Sequence, residues 1–309
     1  MTVPSPLIQI QNLSKSFSVQ GRTLKALDDI SLSLYPGEIL GLVGESGCGK
    51  STLGKILTRL ENPTKGTLSF RGESLLSYSA RKEIQIIFQD PYASLNPKMT
   101  IGEILQEPFK IHKLPHSFTQ IDELLSLVNL PPQYKTRFPH ELSGGQRQRI
   151  GIARALALKP SFIVCDEPVS ALDVSVSAQI LNLLKKLQQE LGLTLLFIAH
   201  DLRIVHYLSS RTCVMYFGQL MELAPVEELY KTPLHPYTKA LLSAIPIPDP
   251  KLERARPKLL LQGDIPSPFH PLKGCSFASR CPYATSLCQE ERPKWREHSP
   301  KRFVSCHYA

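Results

Sequence analysis

The stretch GESGCGKST, Gly44 to Thr52, sets three glycines, a lysine and a hydroxyl at the spacing G-x-x-x-x-G-K-S/T. That spacing suits the holding of phosphate. Gly44, Gly47 and Gly49 let the backbone turn its N–H groups inward around an anion, and a helix beginning at Lys50 adds the partial positive charge of its N-terminus. Lys50 is placed to reach β- and γ-phosphates, and Ser51 to give an oxygen to magnesium. Glu45, Ser46, Cys48 and Thr52 complete the run of candidate nucleotide contacts. Cys48 is a small residue where the loop needs one and reads first as a serine-like filler, with sensitivity to thiol reagents as the alternative.

The flanks agree with this reading. EILGLV before the loop is a short apolar run of the kind a buried parallel strand shows, and KSTLGKILTRL after it has helical periodicity. A second apolar run, SFIVCDEP, ends in Asp166 and Glu167. Beside the first strand in a parallel sheet, both acids arrive at the C-terminal edge next to the phosphate loop. Asp166 would hold magnesium there, and Glu167 would polarise the attacking water. A third run, TLLFIAHD, brings His200 within reach of a γ-phosphate. Alone, an acidic pair or a histidine after a strand is an ordinary solvated or packed feature; with Lys50 and Ser51 they form one set. Between the second and third runs, SAQILNLLKKLQQELG repeats apolar residues at Ile180, Leu183, Leu184 and Leu187 and stops at Gly192. This predicts a helix and a β-α-β crossover.

LSGGQRQRIGIARALALKP, from Leu142, places Ser143, Gly144 and Gly145 in a small turn that leads through Gln146 into a helix, whose N-terminal amides face outward as a second anion site. With these motifs in this order, the chain resembles the ATP-binding cassette (ABC) family over nearly all of residues 7 to 245. The resemblance implies an α/β P-loop NTPase cassette with a parallel sheet core, an antiparallel β region and a helical signature subdomain at about 90–158. It also implies binding and hydrolysis of ATP with Mg2+, and head-to-tail pairing in which Ser143, Gly144, Gly145 and Gln146 of one cassette close over ATP held by the other's P-loop. Gln89 in IIFQDP matches the family's Q-loop glutamine, which contacts magnesium and water and links the site to membrane subunits. Asp173 in SALD matches the D-loop aspartate at the dimer seam. Phe17 in SKSF falls where the family usually has an adenine-stacking tyrosine; it keeps the π-face without the hydroxyl, while a core position suits it equally. Magnesium thus falls to Ser51, Gln89 and Asp166, and catalysis to Glu167, His200 and Gln89.

Two longer stretches, QDPYASLNPKMTIGEIL and ELYKTPLHPYTKALLSAIP, resemble the ATPase subunits of bacterial oligopeptide and dipeptide importers, with the relatives that carry nickel or glutathione. The second also reads as an amphipathic helix closing the main domain. The resemblance implies peptide uptake through two separate membrane permease subunits, a second ABC ATPase chain that is a paralogue or another copy, and an external substrate-binding protein. It implies a peripheral position at the cytoplasmic face of the inner membrane, with no nucleic acid.

Composition sets the bounds. The opening MTVPSPLIQI lacks the charged start and apolar run of a secretory signal, and no segment approaches the ~18 to 20 apolar residues that cross a bilayer, so a cytoplasmic protein is expected. Of the net charge of +9, most sits in the tail, where eleven Lys and Arg face five Asp and Glu from Lys251 onward. The main domain, residues 1–245, is therefore close to neutral and offers no broad basic face to a phosphate backbone. Proline and charge in AIPIPDPKLERARPK suggest a linker opening a C-terminal extension, residues 246–309.

That extension carries Cys275, Cys281, Cys288 and Cys306. Reduced cytosolic thiols so clustered favour a metal site over disulfides, and their spacing lacks the C-x2-C pairs of structural zinc. In some peptide-importer relatives a similar four-cysteine tail holds a 4Fe–4S cluster, which makes that cluster the expected cofactor and zinc the alternative, with reduced, buried structural thiols that bind nothing as the remaining reading. A bound centre would organise a tail too small for its own core, and Arg280, Lys294, Arg296, Lys301 and Arg302 would offset its negative charge. A competing function is a soluble, nucleic-acid-associated ABC ATPase with a zinc-binding tail. A regulatory cassette without turnover fits less well, because no catalytic position is degenerate.

Overall fold

The computed structural model describes residues 5–75, 80–246, 249–255, 259, 263, 266–267, 269 and 273–309. Its strands are β1 (Ile8–Val19), β2 (Arg22–Leu34), β3 (Ile39–Val43), β4 (Lys65–Phe70), β5 (Glu73–Ser74) and β6 (Ile84–Ile87) in the first third of the chain. They continue as β7 (Phe162–Asp166), β8 (Thr194–Ala199), β9 (Arg211–Tyr216), β10 (Gln219–Pro225), β11 (Arg296–Ser299) and β12 (Arg302–Val304). Two sheets result: a four-stranded antiparallel one ordered β2-β1-β4-β5, and an eight-stranded one ordered β11-β12-β10-β9-β3-β8-β7-β6. In the larger sheet β6, β7, β8, β3 and β9 run parallel, and β10 to β12 add an antiparallel edge.

Every residue of β3, β7 and β8 is buried, as a parallel strand covered on both faces must be. Because side chains alternate along a strand, the same strands feed two cores. Leu195, Phe197 and Ala199 join Ile180, Leu183, Leu184 and Leu187 of helix Val174–Leu191 on one face. Leu196 and Ile198 meet Leu53, Ile56 and Leu57 of helix Lys50–Leu57 and the antiparallel sheet on the other. Helix Val174–Leu191 ends on Gly192 in the left-handed conformation and returns the chain to β8 beside β7, the crossover read from the sequence. Between β6 and β7 stand helices Pro91–Ser94, Ile101–Ile111, Phe118–Leu127 and Gly144–Leu156. The last three each start on a capping box, Thr100 with Glu103, Ser117 with Gln120 and Ser143 with Gln146.

The tail departs from expectation in two ways. The proline-rich segment contains a short helix, Pro250–Ala255. Its start is chemically sound: Pro250 suits the first helical position, and the Asp249 carboxylate accepts from the Lys251 N–H at 2.8 Å. Nor does the extension lack a core, because it borrows the cassette's. Phe277 is fully buried in the larger core, edge-on to Tyr216 with ring centres 5.4 Å apart and 5.3 Å from Tyr237. The β11–β12 hairpin completes the main sheet through Glu222↔Val304 and Leu223↔Phe303. A metal is therefore not needed to replace a missing core.

We predict that Phe277→Ala costs about 3–5 kcal/mol in urea unfolding of the whole chain, whereas Tyr283→Ala, at an exposed ring nearby, stays within about 0.5 kcal/mol. Equal effects from the two would mean that the tail is not docked.

Candidate nucleotide site and cysteine cavity

The phosphate loop turns through three left-handed glycines, Gly44, Gly47 and Gly49, with φ of 157°, 77° and 106°. Two of these positions also demand the absence of a side chain. A Cβ on Gly44 would lie 2.1 Å from the Met215 carbonyl oxygen, and one on Gly49 would lie 2.5 Å from that of Ala26. The Lys50 ammonium folds back into the loop it follows, donating to the carbonyls of Gly44 at 2.8 Å and Glu45 at 2.9 Å, with the Cys48 Sγ at 3.8 Å. Burial pushes the Cys48 thiol up, against the pull of Lys50. It fills the loop as a neutral small group, and the sequence reading of a reagent-sensitive thiol gains nothing from this environment.

The strand-end acids arrive where the parallel sheet sends them. Ser51 Oγ donates to Asp166 Oδ1 at 2.9 Å. Burial, with the neighbouring Glu167 carboxylate, holds Asp166 above the ordinary carboxylate range, while Ser51, Lys55 and Lys50 pull it down. A divalent cation would relieve that crowding of negative charge, so the hydroxyl and carboxylate fit Mg2+. Gln89 Nε2 donates to Glu167 Oε2 at 3.1 Å, and His200 Nδ1 stands 3.5 Å from the same oxygen. Glu167 is held in the left-handed region at φ 46°, unusual for a residue with a side chain.

A cavity of about 540 Å³ is lined by the loop from Glu45 to Thr52 with Gln89, Glu167 and Phe17, while Asp166 and His200 are not among its lining residues. Phe17 therefore faces the nucleotide site rather than the core. Lys25, Ala26, Tyr216, Phe217 and Gly218 line the same cavity and carry no sequence motif. Two further residues reach the loop from far along the chain. Tyr237 OH accepts from the Glu45 N–H at 3.1 Å, and Arg280 pairs with the Glu45 carboxylate at 2.8 Å. No local pattern announces either contact.

The signature lies elsewhere. Ser143 is exposed and caps helix Gly144–Leu156, with its Oγ accepting from the Gln146 N–H at 3.3 Å and its own N–H donating to Gln146 Oε1. Ser143, Gly144, Gly145 and Gln146 stand apart from the cavity of the phosphate loop. Asp173 begins helix Val174–Leu191 on the surface, next to Val174, which is 89% exposed.

Cys275, Cys281, Cys288 and Cys306 are free thiols that line one cavity of about 290 Å³, together with His235, Lys239, Phe277 and His307. Burial pushes the Cys275 thiol up to about 11 and raises Cys281 as well. Among the described residues, no three His, Cys, Asp or Glu side chains gather tightly enough to hold a metal ion. The expected counter-charges are also placed differently. Arg280 is engaged with Glu45, Arg302 with Glu222, Glu228 and the Thr232 carbonyl, and Arg296 with the carbonyl of Ala309. Arg280 and Arg302 thus have partners away from the thiols, so the offset read from sequence does not hold for these two, whereas Arg296 also lies 3.5 Å from the Cys306 carbonyl. Among the described residues no helix is long and apolar enough to cross a membrane.

Comparison with known proteins agrees with the site. Residues 27–170 match the ABC transporter family model, and residues 221–288 match the C-terminal region of oligopeptide/dipeptide transporters. The chain is 55% identical to YkfD of Bacillus subtilis over 98% of its own length and 95% of the relative's. It is 51% identical to the oligopeptide transport ATP-binding protein OppF of Haemophilus influenzae, covering 96% and 93% of the two chains. Among solved structures, the ATP-binding cassette MJ0796, as a dimer bound to ADP and Pi, aligns with a TM-score of 0.64 at 29% identity, over 71% of this chain and 98% of that one. Motif order, loop geometry, sheet and relatives converge: the chain belongs to the ABC transporter family, as an ATP-hydrolysing cassette of its oligopeptide/dipeptide branch.

Proposed function

We propose that this chain is the ATP-hydrolysing subunit of a peptide importer, driving uptake of oligopeptides or dipeptides through separate membrane subunits. The separation of its two phosphate-binding helix ends carries the reading. One chain provides a complete phosphate loop and, outside that loop's cavity, a second exposed helix start at Ser143 that suits the nucleotide of another cassette. The exposed Asp173 and Val174 then belong to the seam between two cassettes, where an apolar surface is expected to be covered. Relatives named as oligopeptide transport ATP-binding proteins support the cargo class. Nickel, glutathione and nucleic acid are less favoured.

The residues divide the work. Lys50 and the loop amides bind the phosphates, and Phe17 stacks on the base. Ser51, Gln89 and Asp166 would hold Mg2+, which would supply positive charge to offset that developing on the phosphoryl oxygens. Glu167, fixed from two sides by Gln89 and His200, orients and polarises water. His200 is also available to the γ-phosphate. Closure and opening pass to the membrane subunits through the segment after Gln89. Behind that segment a groove of about 640 Å³ runs between Gln89–Ser94 and the exposed Ile111. Two permease subunits, a paralogous or identical ATPase chain and an external binding protein complete the assembly, with this subunit peripheral on the cytoplasmic face of the inner membrane.

The cysteine cavity fits a 4Fe–4S cluster better than one zinc ion. Four thiols from three separate stretches face one space, whose volume is roughly ten times the ~30 Å³ that a water occupies in the liquid. Thiols spread around such a space suit a bulky core rather than a single ion clenched between touching sulfurs.

Glu167→Gln removes the proton acceptor and keeps the shape. MgATP binding is expected to persist while turnover falls about 10²–10⁴-fold and a paired form accumulates on size-exclusion chromatography with ATP; retained turnover would remove Glu167 from this role. Whole chain purified without air should contain about four iron atoms per chain, and Cys281→Ser should lower that number. Stoichiometric zinc in place of iron would sink the cluster reading.

A further inference from the structure

Arg280 sits one residue before Cys281, in the five-residue stretch that Cys275 and Cys281 bracket. Its guanidinium points away from the thiols and reaches the phosphate loop. Nη1 donates to both Glu45 carboxylate oxygens, at 2.8 and 3.1 Å, and lies 3.5 Å from the Tyr216 hydroxyl. The pair is sheltered, with 10% of the Arg280 side chain and 25% of that of Glu45 exposed. The same stretch is stiff. Its backbone turns through Ala278 N–H to the Cys275 carbonyl and Arg280 N–H to that of Phe277, while Cys275 N–H donates to the Cys288 carbonyl at 2.8 Å. Phe277 anchors it against Tyr237, the residue whose hydroxyl accepts the Glu45 N–H. Cysteine cavity and phosphate loop thus share one short connecting arm.

Charge gives the arm a consequence. Glu45 lines a cavity built for a polyanion, and an uncompensated carboxylate there would oppose the phosphates. Arg280 neutralises it and fixes the loop's first turn, so it is a positioning residue rather than a catalytic one. How firmly Arg280 is held depends on its anchors. A metal centre would tie Cys275 and Cys281 to Cys288 and Cys306; without one, the arm is restrained by backbone hydrogen bonds, Phe277 and the buried Ser276 hydroxyl, which donates to Gln219 Oε1 at 3.1 Å, and any freedom it gains opposes the ion pair.

We propose that the Cys275–Cys281 arm clamps the nucleotide site through Arg280 and Glu45, so that filling of the four-cysteine cavity raises the chain's affinity for MgATP. This rests on the reading of the cavity as a metal-cluster site. The test uses the full chain and a fluorescent ATP analogue with magnesium, compared after reconstitution with ferrous iron and sulfide and after stripping by a chelator. Iron content and melting temperature are read on every sample. Arg280→Ala is expected to weaken binding about 10-fold, Arg280→Lys less, and Glu45→Gln with Arg280→Ala to recover most of the loss, because the double change restores charge balance. Stripping should weaken binding by wild type about 5-fold or more, and should have less than about a 2-fold effect on Arg280→Ala. Folded Arg280→Ala that binds like wild type, a double variant as weak as the single one, or an undiminished stripping effect in Arg280→Ala would each overturn the clamp. A chain that takes up no iron fails at the iron measurement and overturns the dependence on filling. The Arg280–Glu45 cycle, which needs no metal, then reports separately on the arm.

Discussion

An ammonium group with only 4% of its residue exposed must be compensated where it lies, and here the phosphate loop itself supplies the compensation. Lys50 Nζ donates to the carbonyls of Gly44 and Glu45, which fixes the loop's width. The loop cannot relax outward, because it is wedged between β2 and β9. The Gly218 N–H donates to the Cys48 carbonyl and the Asp28 N–H to that of Gly218, so loop, hairpin turn and antiparallel sheet form one hydrogen-bonded stack. Preorganisation of this sort spares a bound anion most of the ordering cost.

The second consequence lies at Glu167. Its left-handed backbone turns the chain sharply after β7, so Asp166 stays against Ser51 while the next carboxylate swings toward Gln89 and His200. Glu167 also borders a second cavity of about 590 Å³ that runs past Ser170 and Leu172 to His200 and Tyr207. The carboxylate therefore stands where the nucleotide cavity meets the surface that, on the proposed pairing, faces the other cassette. Closing this junction with a partner's helix start would both complete the phosphate contacts and exclude solvent, which strengthens every charge interaction inside.

What the sequence made legible was local. The phosphate loop, the acids at the end of β7, the helix between β7 and β8 and its Gly192 stop each depend on neighbours within a few residues, and each lies where its pattern put it. Contacts closed by the fold were not legible. Tyr237 and Arg280 meet Glu45 from 192 and 235 residues away, and no spacing rule links them. Arg280 reads from sequence as a counter-charge for the adjacent cysteines because proximity along the chain is all the sequence offers; in the fold its side chain crosses to the other end of the arm. The same limit hid the strands Arg296–Ser299 and Arg302–Val304: the first is polar, the second is only three residues long, and they form because β10 presents an open edge.

That edge explains why the tail sits where it does. The end of β9 and the turn that follows it are used three times: the Met215 carbonyl closes on Gly44, the Tyr216 ring meets Phe277, and Phe217 with Gly218 lines the nucleotide cavity. A segment docked on Tyr216 is necessarily within one side chain's length of the phosphate loop. An acidic residue at position 45 would be costly in an anion site with nothing opposite it. The buried Phe277 anchor brings Arg280 to the one place where that charge is answered, so the tail belongs to the electrostatics of the ATP site as well as to its scaffold.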